Sequence, residues 1–101
     1  MNTFTKRLRE AREKKGMSQK QLGIEAGFDP SSASPRMNQY EKGKHHPDAT
    51  TVAKLCEVLG VPVAYLYCDD DDLARVIANF SKVGEKDRKR ILAIVDTVKQ
   101  S

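Results

Sequence analysis

The placement of glycine and proline constrains this chain most, because it cuts the sequence into short segments whose apolar residues repeat at helical spacing. Phe4, Leu8 and Ala11 form the first such stripe and Gly16 ends it, which predicts a helix over 3–15. Its other face carries Lys6, Arg9 and Lys14. Ser18 is placed to cap a second helix, 18–26, with Gln21 completing a capping box before Leu22. Gly27 closes that helix, Phe28 can tuck into a core, and Asp29, Pro30, Ser31 and Ser32 are turn residues. A third helix has to begin within 32–34, since Pro35 is tolerated only in a first turn, where its missing N–H has no partner. Met37 and Tyr40 fall on its inward side, and Gly43 ends it.

His45, His46 and Pro47 then form a connecting loop, and Asp48 caps a fourth helix bearing Val52, Leu55, Cys56 and Leu59 up to Gly60. Pro62 starts a short fifth helix over 63–67. Cys68 and the run Asp69, Asp70, Asp71 and Asp72 read as a hinge into a sixth helix, 70–81, with the aspartates at the end where the helix dipole favours negative charge. Leu73, Val76, Ile77 and Phe80 are its apolar positions. Gly84 and Glu85 open a seventh helix to about residue 99, with Ile91, Leu92, Ile94, Val95 and Val98. No stretch shows the alternation and β-branched enrichment of a sheet, so the chain is expected to be all-α.

A chain of 101 residues is one domain's worth, with room for an appendage but not for an ordinary second ligand-binding domain. Charge suggests where the appendage starts. Residues 1–67 hold 11 of the 18 Lys/Arg and 7 of the 14 Asp/Glu, whereas residues 68–101 hold 7 of each. All the excess positive charge lies in the first part, as a unit meeting phosphates would need, although charge alone favours an ordinary solvated surface.

Several function classes fit poorly. No stretch approaches the roughly 20 apolar residues of a membrane span, and residues 1–7 lack an apolar signal core, so a soluble, cytoplasmic protein is expected. Cys56 and Cys68 form no CxxC or Cys/His tetrad, and His45 and His46 have no third ligand at metal spacing. Neither a metal nor a cofactor is expected. The acidic run lacks the alternating ligands and glycine of a calcium loop, and no serine stands in a nucleophile motif, so catalysis is not expected.

Two short helices joined by a glycine-containing turn, the second with polar residues near its start, meet the requirements for reading a major groove. In detail, Leu8-Arg9, Arg12, Gly16, Ser18-Gln19, Leu22, Gly27, the run from Met37 through Lys44, Pro47, and Leu55 with Leu59-Gly60-Val61 resemble the Cro/C1-type (xenobiotic response element) helix-turn-helix regulators of bacteria and phages. The resemblance implies a five-helix lambda-repressor-like DNA-binding domain over 1–67, followed here by two C-terminal helices over 68–101. It implies backbone contact, and sometimes base contact, by Gln19, and base contact early in the third helix. Those early positions are Ser34, Arg36 and, a turn on, Gln39; Arg pairs with guanine and Gln with adenine. Asn38 could serve a base or a phosphate. Lys20, Lys42 and Lys44 would neutralise phosphates, which fix register without carrying sequence information. Arg12 and Glu41 resemble the family's internal ion pair.

Two departures stand out. Thirteen residues separate Gly27 from Glu41, about four more than the family usually has, which enlarges the turn and loosens assignments within 31–36. Gly23 stands where the family commonly has Ala, at a close approach of two helices.

The apolar residues of 68–101 must be buried somewhere. They either pack on the first domain or form a two-fold dimer interface, for which Leu73, Ile77, Phe80, Ile91, Val95 and Val98 are the candidates. The leading expectation is a sequence-specific regulator, a repressor that binds a palindromic duplex operator as a homodimer, with no small-molecule ligand evident. The rivals are an antitoxin-like module that binds a partner protein through its C-terminal helices and a nonspecific architectural binder.

Overall fold

A computed structural model describes residues 2–100, and it contains seven helices and no strand among them. The helices are α1 (Thr3–Lys14), α2 (Gln19–Glu25), α3 (Ala33–Lys42), α4 (Ala49–Leu59), α5 (Val63–Tyr67), α6 (Asp71–Phe80) and α7 (Glu85–Lys99). Each start has a local cause. Asn2, Ser18, Asp48 and Asp70 accept from the backbone N–H three residues on at 2.8 to 3.0 Å, which satisfies a donor the helix itself leaves open. Asn2 was not anticipated in this role. At the other end of α3, Gly43 takes the left-handed conformation at φ 76°, which a residue with a Cβ adopts only under strain.

The core forms where the apolar stripes of α1 to α5 converge. Leu8, Leu22, Met37, Leu55 and Leu66 are fully enclosed, one from each of the five helices. Burying a side chain of this size contributes about 1.5–3 kcal/mol, so these residues specify the bundle. Phe28 closes the core beneath the α2–α3 turn and meets Tyr40 edge-on at 6.2 Å between centroids. Phe4 lies against His46 at 4.5 Å and Tyr67 at 5.5 Å, while His46 Nε2 hydrogen-bonds the Tyr67 hydroxyl at 3.0 Å. This cluster ties the α3–α4 loop to α1 and α5.

The segment expected to act as a hinge is fastened to α1 instead. Arg7, buried in α1, donates from Nε to the Cys68 carbonyl at 2.9 Å and from Nη2 to the Asp69 carbonyl at 3.2 Å and the Asp71 carboxylate at 2.8 Å. Thr3 and Lys6 add bonds to Asp69 and Asp71. Only Asp70 of the acidic run caps α6; Asp69 and Asp71 are drawn to α1, a use of the aspartates that dipole reasoning did not foresee. Ala74 is the buried residue of α6, which packs against α5.

Beyond α6 the chain leaves the bundle. Arg88 clamps the elbow, donating to the carbonyls of Ser81 at 2.9 Å and Val83 at 3.1 Å with its guanidinium 5.2 Å from the Phe80 ring centroid. No residue of α7 is buried.

Candidate nucleic-acid interface

The arrangement of α2 and α3 starts from the enlarged turn. Gly27 and Phe28 donate back to the carbonyls of Ile24 and Gly23, which closes α2. Asp29 then organises the following residues: its carboxylate accepts from the Ser31 amide at 2.8 Å and the Ser31 hydroxyl at 2.6 Å. The Ser31 hydroxyl and amide hold this carboxyl below the ordinary carboxylate value. The Asp29 carbonyl accepts from the Ser32 amide at 3.0 Å, so the added residues form a fixed turn. Helix α3 begins at Ala33, inside the expected window, and Pro35 sits in its first turn.

Close approach of the two helices follows. A Cβ added to Gly23 would stand 2.9 Å from the Ala33 Cβ and 3.1 Å from both the Ala33 carbonyl oxygen and a Phe28 ring carbon. An alanine here would therefore require α2 and the start of α3 to shift apart.

The inner side of α3 is committed to Ala33, Met37, Tyr40 and Glu41, which are its buried residues. At about 100° per residue, Pro35, Asn38, Gln39 and Lys42 lie opposite the buried stripe, with Ser34 and Arg36 at the two edges. Ser34, Arg36, Gln39 and Lys42 are exposed and Asn38 is half-buried. Arg36 lies over Phe28, its guanidinium carbon 4.0 Å from the ring centroid, and donates to the Tyr40 hydroxyl at 3.1 Å. It is thus held in a preset position.

Arg12 and Glu41 join α1 to α3 as a two-point pair, Nε to Oε2 at 2.6 Å and Nη2 to Oε1 at 3.0 Å. The Glu41 carboxylate raises the Arg12 pKa above its ordinary value, outweighing the effect of burial. Arg12 also donates to the Met17 carbonyl at 2.8 Å, which fixes the α1–α2 turn. Gln19, at the first position of α2, donates weakly to Glu41 at 3.3 Å and to Asn38 at 3.4 Å. These bonds hold its amide against α3.

Gln19, Asn38, Lys42 and Lys44 line one polar recess, together with Asn2, Thr5 and Arg9. Lys20 does not line this recess; it lines a shallower depression with Ser18, Gln21, Ile24 and Glu25. Sequence reasoning had put Arg9 on the outward side of α1 without assigning it a role; its spacing from Arg12 was the available signal, but only packing of α1 against α3 brings it beside Lys42 and Lys44.

This geometry is a helix-turn-helix: α2, a fixed turn, and α3 with its polar side outward. The family described as helix-turn-helix matches residues 8–66. The chain is a member of the helix-turn-helix family. Among solved structures, this helix-turn-helix protein is similar to the crystal structure of the transcriptional regulator BswR, with 44% identity, a TM-score of 0.86 and 92% of each chain covered. That coverage is too large to fit within the family region, so the likeness extends into the C-terminal helices. No curated protein matches the chain. No helix is long and apolar enough to cross a membrane among the described residues.

Proposed function

We propose that this protein is a transcription regulator, a repressor of the bacterial or phage kind, which binds duplex DNA in the cytoplasm by inserting α3 into the major groove. Ser34, Arg36, Asn38 and Gln39 read base edges. Gln19, Lys20, Lys42 and Lys44 contact the phosphate backbone, joined by Arg9. Residues 1–67 carry this activity, and 68–101 pair two copies on a palindromic operator through Leu73, Ile77, Phe80, Ile91, Val95 and Val98. Binding by such a dimer represses by denying polymerase the site. The reading draws on the family and on the likeness to a transcriptional regulator. The observation that carries it is the division of α3 into a buried apolar side and an exposed side bearing Ser34, Arg36 and Gln39.

Selection of bound duplexes from a random pool tests it. The intact protein is expected to enrich a two-fold symmetric sequence, with Arg36→Ala and Gln39→Ala each relaxing preference at particular base pairs at a cost of about 1–3 kcal/mol in discrimination. A pool that stays random, with equal affinity for scrambled duplexes, would reduce the protein to an architectural binder.

A second reading, an antitoxin-like module that grips another protein through α6 and α7, is favoured by one feature. Leu73, Leu92, Ile94, Val95 and Val98 are all more than half exposed. A purified chain that stays monomeric yet pairs with a partner protein would support this reading over the dimeric repressor.

A further inference from the structure

Away from α3, a groove of about 610 Å³ lies between α1, the end of α4, α5 and α6. Thr5, Arg9 and Arg12 share one side of α1, whereas Arg7, Glu10 and Lys14 project from the opposite side at about 100° per residue. The first set borders the recess beside α3 and the second lines this groove, so the groove looks away from the proposed DNA face. Its cations cannot serve the same duplex.

The groove combines an apolar floor with a basic rim. Ala11, Leu59, Val61, Tyr65, Ala74 and Ala78 form the floor. On the rim, Glu10 and Asp71 are already engaged by Arg7 and Lys6, and Lys15 donates to the Val58 carbonyl at the end of α4 at 3.0 Å. Lys14, Arg75 and Lys82 also line the groove, and they form no ion pair among the described residues. Three cations outside any ion pair, outnumbering the two carboxylates of the groove and set beside a hydrocarbon surface, are complementary to a molecule with an anionic head and an apolar body. The volume falls in the range of small-ligand sites, about 300–1,000 Å³.

We propose that this groove binds a small aliphatic acid, its carboxylate among Lys14, Arg75 and Lys82 and its chain along Ala74, Ala78 and Val61. Such an occupant would touch both the five-helix bundle and α6, and so would brace the joint between them. The site stands independently of DNA recognition, and its test contains no DNA.

Calorimetric titration of the full chain with octanoate is expected to show saturable binding, with octanol and octylamine at equal concentration showing none. Arg75→Glu combined with Lys82→Glu should weaken octanoate binding at least about tenfold, as reversal of a recognising charge does. Ala78→Trp, which fills the floor, should abolish it, while Lys86→Glu on α7 leaves it unchanged. Arg75 and Lys82 are exposed, so the charge-reversed protein keeps the test decisive if Ala78→Trp fails to fold. The proposal is overturned by absence of saturable binding, by octanol binding as well as octanoate, or by unchanged affinity in the charge-reversed protein. Sedimentation with phosphatidylglycerol vesicles that depends on Arg75 and Lys82, without octanoate binding, would assign these cations to a lipid surface and equally overturn it.

Discussion

Arg12 and Glu41 show how one residue pair fixes the relation of two helices. Their side chains are 13% and 4% exposed, so removing either partner leaves a charge in a poorly hydrated place. Arg12→Met is therefore expected to destabilise the protein by about 3–5 kcal/mol in urea unfolding, with Arg12→Met/Glu41→Leu recovering a large part of the loss. A double variant as unstable as the single one would mean that the bond to the Met17 carbonyl, not the charge pair, is the main contribution. Gly23 illustrates the opposite constraint, where space decides. Alanine would gain about 1 kcal/mol in helix propensity. The 2.9 Å approach to the Ala33 Cβ forces two helices apart, however, and overpacking of that kind costs about 1–3 kcal/mol. Gly23→Ala should lower the unfolding midpoint in urea; a raised midpoint would show that the α2–α3 packing yields easily.

At the level of elements, the start of α6 is tied to α1 by charge. Hydrogen bonds from Arg7 and Lys6 hold the Asp71 carboxyl below the ordinary carboxylate value. A carboxyl whose folded-state pKa is depressed contributes stability above its unfolded value and loses it as pH falls through the native one. The contribution of Asp71 should thus be complete at neutral pH and decline once pH falls below the ordinary carboxylate value of about 4. Comparing thermal midpoints of the parent protein and Asp71→Asn across this range checks the direction: the gap should close on acidification, and a gap constant with pH would exclude a role for the carboxylate charge. The α2–α3 turn is the other element whose shape has consequences, since Asp29 and its serines let a longer connection still deliver Ser34 and Gln39 to an exposed side.

For the whole molecule, the principal extents of 53 × 27 × 23 Å reflect a tail that stands off the bundle. A helix of 15 residues is about 22 Å long. Extended from the clamped elbow, α7 exposes Val95 and Val98 at 55% and 66%, with Leu73 on α6 at 52%. Pairing with a second copy would cover this surface. Leu73→Lys and Ile91→Asp are accordingly expected to shift the protein toward monomer in sizing and to weaken operator binding with α3 untouched. Unchanged size in both variants would remove the dimer from the proposed function while leaving the DNA-reading helix in place.

The sequence by itself determined the helices and their order, because glycine, proline and capping residues act on the backbone within a few residues of their own position. Gly43 ending α3, Ser18 starting α2 and Pro35 confining the start of α3 needed no partner distant in the chain. The apolar spacing likewise identified Leu8, Met37 and Leu55 as inward, and with Met37 and Tyr40 the outward position of Gln39. Tertiary structure decided what depends on approach between distant segments. Arg7 reads as one more basic residue of α1 until Cys68 and Asp71 come within reach of its guanidinium. Arg9 joins Lys42 and Lys44, Arg36 settles on Phe28, and Lys14 meets Arg75 and Lys82 only once the bundle has closed. Helical periodicity gives the direction of a side chain from its own axis, whereas the partner it meets is set by how the axes pack.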